Sequence, residues 1–137
     1  MPSVAVDTGP LVALFDKDEA EHAAAEEFLA RTTSRLITNI AVITEALYLL
    51  GFSTQVQTDF LEWAIAGLEV DRETASDLPR IIAIMKKYDD LPADFADASL
   101  VALCERRGIA DVATLDADFD VYRTVDRKHL RNVFFAR

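Results

Sequence analysis

The side chains with the most chemistry to offer are carboxylates that stand at the ends of apolar runs. Val4-Ala5-Val6 stops at Asp7, and Val112-Ala113-Thr114-Leu115 stops at Asp116, with Asp118 and Asp120 close behind. Glu45 is the only charge in the apolar segment Ile40 to Leu50, and Asp97 follows Asp94 by three residues in front of Leu100, Val101 and Cys104. A buried ionised carboxylate is costly unless it is paired or coordinates a metal, and no Lys or Arg stands three or four residues to either side of Glu45. Four carboxylates in one pocket could not all stay ionised without a cation. A hard divalent ion, Mg²⁺ or Mn²⁺, suits such an all-oxygen set and keeps waters for chemistry. It would bind substrate phosphates and lower the pKa of a bound water, which is the chemistry of phosphodiester hydrolysis.

Each acid also has a purely structural reading. Asp7 and Asp94 are good helix caps, and Asp97 in a first helical turn is favoured by the helix dipole. Glu45 can lie on a narrow solvent-facing strip or pair with a distant Arg. His22 is expected to face solvent or be locally hydrogen-bonded, and Trp63 to pack. A single cysteine, Cys104, and two histidines, His22 and His129, offer neither an internal disulfide nor a zinc site.

The elements that must position these acids alternate between strand and helix. Val4 to Val6 reads as a strand that Gly9 and Pro10 turn into an apolar helix, Leu11 to Phe15. Ala20 to Arg31 reads as a helix, Leu36 to Thr38 as a strand, and Ile40 to Leu50, capped by Asn39, as a helix apolar almost all round and therefore buried. Gly51 ends it, and Ser53 or Thr54 opens a helix with Phe60, Leu61, Ala64 and Ile65 on its core face. Leu68 to Val70 is a short strand, Asp71 to Ala75 one helical turn, and Asp77 with Pro79 opens a helix running to Tyr88. Asp94 caps a helix closed by Arg106, Arg107 and Gly108. Val112 to Leu115 is then a strand, and Asn132 to Phe135 the closing one. Short apolar strands between helices predict an α/β fold with a parallel sheet covered on both faces by right-handed crossovers. In that architecture Asp7 and Asp116 end strands at the same edge, where ligands bind.

The chain has 137 residues, 51% of them apolar, which suits one domain spanning 1–137 with a single core. No apolar run reaches the length of a membrane span and no signal-like segment opens the chain, so no membrane partner and a cytoplasmic location are expected. A formal charge of −10 is unusual for a binder of nucleic acid. The charge is segregated, however: Arg123, Arg127, Lys128, Arg131 and Arg137 against Asp126 make residues 121–137 locally +4 and leave −14 on the first 120. Arg127 and Lys128 are therefore candidates for a phosphate landing place, with a solvated surface as the equal alternative.

With these residues placed, the chain resembles the PIN-domain ribonucleases and, within them, the VapC-type toxins of bacterial and archaeal toxin–antitoxin pairs. The resemblance rests on Asp7-Thr8-Gly9-Pro10-Leu11, on Thr44-Glu45-Ala46 within the Thr38 to Leu50 segment, on Asp97-Ala98-Ser99-Leu100-Val101, and on Thr114-Leu115-Asp116 followed by Asp118-Phe119. It covers nearly the whole chain. It implies a three-layer α/β/α sandwich with a central, mostly parallel sheet and an acidic quartet of Asp7, Glu45, Asp97 and Asp116, with Asp94 and Asp118 as additions. Asp7, Asp97 and Asp116 would be the main ligands of Mg²⁺ or Mn²⁺, Glu45 would hold a water or second ion, and Thr114 would orient the nucleophile or a phosphate. RNA as substrate, a homodimer and a cognate antitoxin are implied partners. Two rivals remain: a phosphotransfer receiver domain, which would need adjacent acids after its first strand and a late Lys, and a catalytically silent binding module on the same architecture.

Overall fold

The structure is a computed structural model and describes residues 2–91, 93–124 and 128–135. Its elements run β1 (Ser3–Val6), α1 (Thr8–Phe15), α2 (His22–Arg31), β2 (Arg35–Asn39), α3 (Ile40–Leu49), α4 (Thr54–Gly67), β3 (Glu69–Asp71), α5 (Leu78–Lys87), α6 (Phe95–Arg107), β4 (Asp111–Ala113) and β5 (Arg131–Asn132). These five strands pair in parallel, in the order β3-β2-β1-β4-β5. Val4, Ala5 and Val6 are all buried, as are Leu36 and Ile37 on β2 and Val112 and Ala113 on β4. Successive strand residues point to opposite faces, so unbroken burial means that helices cover both sides of the sheet.

The strand order decides where a site can form. From β1 the chain moves one way through β2 to β3, then returns through α5 and α6 to β4 on the other side of β1. The crevice beyond the carboxyl ends of β1 and β4 is thus a topological switch point, the usual ligand position in such sheets. Asp7 follows β1 there, and Thr114 to Asp116 follow β4. The Asp7 amide still donates to the Ala113 carbonyl at 2.9 Å, which ties the two ends together.

Several boundaries differ from those read in the sequence, and each has a visible cause. Helix α1 starts at Thr8, so Gly9 and Pro10 lie in its first turn, where proline is tolerated. A Cβ on Gly9 would stand 3.1 Å from Leu115 Cβ, so glycine lets α1 approach the segment after β4. Strand β4 ends at Ala113 because Thr114 turns to the Asn132 side chain: its amide donates to Asn132 Oδ1 and its carbonyl accepts from Asn132 Nδ2. The same Oδ1 accepts from the Phe134 amide, which ends β5 after two residues where a strand to Phe135 was expected. Helix α2 begins at His22 rather than Ala20, and the helical turn expected from Asp71 is a 3₁₀ turn at Ala75–Asp77.

Helix α3 is not buried all round. Val42, Ile43 and Ala46 face the core, whereas Ile40, Tyr48 and Leu49 are at least half exposed. The most enclosed helix is α6, with an unbroken buried run from Ala98 to Cys104. Its Ala and Ser positions let it lie close to its neighbours. Asp94 caps it through the Asp97 amide at 2.8 Å, and Gly108 at φ 65° closes it, both as read from the sequence. Trp63 packs against Phe15 and Phe60, and His22 Nδ1 donates to the Ala13 carbonyl at 2.7 Å.

Arg106 and Arg107 do more than complement the helix dipole. Arg106 pairs with Asp71 at 2.6 Å and with Asp77 at 2.9 Å, while Arg107 reaches Glu69 and Asp71. Asp71 ends β3 and its side chain is almost wholly buried, so α6 is pinned to the far edge of the sheet by charge. Burial alone would raise the Asp71 pKa, but hydrogen bonds from Arg106, the Glu73 amide and Arg107 hold it below the usual value. Its stabilising effect is therefore complete above that value and is lost as pH falls through the lowered one. Asp71→Ala is expected to cost about 2–3 kcal/mol in urea unfolding at neutral pH, somewhat less than a fully buried pair because Arg106 is partly exposed. The gap from the parent should narrow in acid; a variant as stable as the parent at neutral pH would mean that the pair does not hold α6.

Candidate functional site

Asp7 is the centre of the acidic edge. It is 4% exposed, follows β1 in extended backbone, and makes no capping bond although it stands at the N-cap of α1. Its Oδ2 instead accepts from Thr114 Oγ1 at 2.8 Å, and that same Oγ1 accepts from the Asp116 amide at 2.9 Å. One buried hydroxyl therefore fixes the carboxylate after β1 and the backbone of the acid after β4. Asp7 Oδ1 is buried with no hydrogen-bond partner among the described residues.

The remaining acids arrive from three directions. Asp116 caps the 3₁₀ turn Ala117–Asp120 through the Asp118 amide, which leaves its second oxygen available. Asp97 stands in the first turn of α6, half-buried, while Asp94 beside it is exposed. Glu45 comes from α3, half-buried. Helices α3 and α6 are locked together at this end by Asn39, whose Oδ1 accepts from the Val42 amide while its Nδ2 donates to Ser99 Oγ at 3.0 Å. Ser99 Oγ donates in turn to the Ala96 carbonyl, and Thr38 Oγ1 donates to the Val6 carbonyl at 2.9 Å, both within the core.

Electrostatics shows that these groups share one environment. Burial pushes Asp7 up to about 6, aided by the charges of Asp116 and Asp94 and opposed by the Thr8 amide and the Thr114 hydroxyl. Asp97 is pushed up to about 8, by burial first and then by Asp7, Asp94, Asp116 and Glu45. Glu45 is raised by burial, Asp94 and Asp7. Among the described residues no salt bridge involves Asp7, Glu45, Asp94, Asp97, Asp116 or Asp118.

The predicted residues are not all brought together. Asp7, Glu45, Asp94, Asp97 and Asp116 interact at one edge, with Asp118 adjoining through the Asp116 cap. No group of three or more acids, histidines or cysteines among the described residues stands in position to hold an ion as placed. Thr114, expected to orient a nucleophile or phosphate, is 1% exposed and its hydroxyl is engaged by Asp7 and Asp116, so it positions protein groups. Lys128, expected near a phosphate, lines a cavity with Cys104, Gly108 and His129 at the other end of α6 from Asp97. Arg127 lies outside the described residues. Sequence reasoning missed Thr8, Ser99 and the second role of Asn39; polar residues beside Asp7 and on the helix after Asp97 were the available signal.

The donor set nevertheless suits a hard cation: oxygen ligands only, mutual repulsion, no competing Arg or Lys among the described residues, and a buried oxygen without a partner. The PIN domain model matches residues 4–125. The chain belongs to the PIN-domain family. Among curated relatives, ribonuclease VapC26 of Mycobacterium tuberculosis is 30% identical over 114 residues, 81% of this chain and 84% of that protein. Among solved structures, the PIN-type fold is shared with VapC20 of Mycobacterium tuberculosis, described as a sarcin-ricin loop cleaving toxin. The TM-score is 0.79 at 24% identity, over 86% of this chain and 93% of that one. The VapC-type resemblance of this PIN domain is therefore upheld, and the parallel sheet is that of the family.

Raised carboxyl values have a consequence for stability without metal. A folded state that binds protons more tightly than the unfolded chain is favoured by these groups below about pH 4, and that contribution is lost as pH rises through about 6 for Asp7 and about 8 for Asp97. Calorimetry in EDTA is therefore expected to show the melting temperature falling from about pH 5 to about pH 8. Asp97→Asn should flatten the upper part of that decline and melt higher than the parent at about pH 8. A variant whose melting temperature falls in parallel with the parent would place the repulsion elsewhere.

Proposed function

We propose that this PIN domain is a divalent-cation-dependent endoribonuclease of the VapC type, acting as the toxin of a toxin–antitoxin pair. The observation that carries the reading is the acidic edge at the β1/β4 switch point, where burial and like charge raise Asp7 and Asp97 and no described cationic side chain compensates. The ribonuclease name of the relative and the RNA-cleaving title of the structural neighbour support RNA as the substrate class. Asp7, Asp97 and Asp116 would hold Mg²⁺ or Mn²⁺, with Glu45 taking a water or second ion and Asp94 and Asp118 at the flanks. When bound, the ion supplies charge to polarise a phosphate and a water acidic enough to yield hydroxide near neutral pH.

The chain's own residues supply the geometry. Thr114 holds Asp7 Oδ2 so that the carboxylate cannot turn away, and ties the Asp116 backbone to the same point. Asn39 and Ser99 keep α6 against α3, so Asp97 and Glu45 stay at one edge. A chain of net charge −10 repels a phosphate backbone, so neutralising these carboxylates is a condition for RNA to approach. The apolar side chains that α3 and α4 leave exposed, Ile40, Tyr48 and Ile65, with Phe52 between the helices, support a second copy of the chain over that face. No observation favours the receiver alternative, and the strand order speaks against it: receivers have 2-1-3-4-5, and this sheet 3-2-1-4-5.

Asp7→Asn is expected to reduce Mn²⁺-dependent cleavage of a fluorogenic RNA by about a hundredfold or more while melting no lower than the parent in EDTA. Unchanged turnover in that variant would remove Asp7 from the mechanism. Undiminished cleavage by the parent after exhaustive chelation would remove the cation. A parent that binds Mn²⁺ but leaves RNA intact would identify the silent module.

A further inference from the structure

Asn132 is the second residue of the short strand β5 and pairs in register with Val112 of β4. Its side chain reaches two residues further along the neighbouring chain, to Thr114, and makes three hydrogen bonds. Oδ1 accepts from the Thr114 amide at 3.3 Å and from the Phe134 amide at 3.1 Å, while Nδ2 donates to the Thr114 carbonyl at 3.1 Å. Two amides on one atom and a carbonyl on the other fix which end of the carboxamide is oxygen. A carboxylate in its place could not donate, and a serine hydroxyl would stop one bond short of Thr114.

The consequence runs through Thr114, which stands one residue past the end of β4, where the strand ladder no longer fixes it. Its N–H and C=O belong to the two peptide planes that flank its Cα, so holding both limits rotation about φ and ψ and aims its Cβ. From there Oγ1 donates to Asp7 Oδ2 at 2.8 Å and accepts from the Asp116 amide at 2.9 Å. Asn132 has anchors of its own. The amides on either side of it, those of Arg131 and Val133, donate to the Ala110 and Val112 carbonyls at 2.7 and 2.8 Å, and Arg31 of α2 donates to the Val133 and Phe134 carbonyls. A continuous path of hydrogen bonds therefore leads from α2 and β5 to two acids of the site. Asn132 lies beyond residues 4–125, the stretch that carries the family match.

We propose that Asn132 is a positioning residue of the acidic site: it holds Thr114 so that Thr114 keeps Asp7 Oδ2, and the unpartnered Oδ1 is the atom left for a cation. The assignment rests on the cation-dependent reading of this PIN domain. Asn132 acts at one remove, its side-chain bonds being with Thr114 and Phe134 rather than with the acids.

The test is Asn132→Ser in the full chain, with Mn²⁺ alone as the probe. A serine hydroxyl can still accept from the amide two residues on, so the local turn to Phe134 is kept while Thr114 is released. Mn²⁺ affinity, measured by electron paramagnetic resonance below the melting temperature of each variant, is expected to weaken about tenfold, the scale for a residue that orients a metal ligand. Thr114→Val should weaken it at least as much, and the double variant no further, because the two residues act along one path. Arg131→Ala breaks the exposed pair with Asp111 on the same strand and should leave the affinity within about twofold of the parent. A parent that binds no Mn²⁺ overturns the underlying cation reading, and this assignment with it. A parent that binds Mn²⁺, beside an Asn132→Ser variant that binds it equally well, overturns Asn132 alone. Losses that multiply in the double variant, or an Arg131→Ala variant weakened as much as Asn132→Ser, also overturn it. Should a variant fail to fold, a crystal structure of the parent with Mn²⁺ decides: the bonds from Asn132 to Thr114 and from Thr114 to Asp7 are expected to persist, and loss of either overturns the assignment.

Discussion

Like-charge crowding at the carboxyl ends of β1 and β4 is the constraint to which the rest of the molecule answers. Asp7 is carried into the crevice by a central strand buried on both faces, and it cannot retreat, because Thr114 holds one of its oxygens and α1 begins immediately behind it. Asp97 and Glu45 are brought to the same edge by helices joined through Asn39 and Ser99. Each of these contacts keeps together negative groups that would separate if free to do so. The scaffold accepts that repulsion, and burial makes it stronger by removing the water that would screen it.

Most of the described arginines are used elsewhere. Arg106 and Arg107 bind Asp71, Asp77 and Glu69 at the β3 edge, Arg80 binds Glu105, and Arg131 binds Asp111. These pairs tie α6, α5 and the outer strands into place, and α6 is the element that carries Asp97. Charge is thus divided between two jobs: complementary pairs at the periphery fix the frame, and uncompensated acids at the switch point form the site. The division explains how a chain with 14 basic residues can leave a carboxylate cluster without a described salt bridge.

Polar groups at the edge follow the same logic. Among the described residues Asp7 Oδ1 and Thr8 Oγ1 are buried at this edge without hydrogen-bond partners, as are Thr74 Oγ1 and the Tyr122 hydroxyl, whereas Asn39, Ser99 and Tyr88 are satisfied. Unsatisfied groups gathered in one place are a feature of sites whose chemistry begins when something else arrives. Under the proposed reading stability and function pull against each other, since neutralising Asp7 or Asp97 relieves repulsion that a cation site would use.

Much of this was legible along the chain. A strand ending in an acid, an N-cap at Asp94, a C-cap at Gly108 and a lone Glu45 in an apolar helix are local patterns, fixed by neighbours within a few residues, and the family motifs follow their order. The enclosure of α6 rather than α3 was not legible, because apolar composition does not say which face meets a partner. Nor was the role of Thr114, which depends on Asp7 more than a hundred residues away. What the sequence determined by itself was the alternation of strands and helices and the caps at Asn39, Asp94 and Gly108. The tertiary structure alone decided that β1 and β4 are neighbours, since strand order is set by crossovers between distant segments, and that adjacency turns scattered carboxylates into one acidic edge.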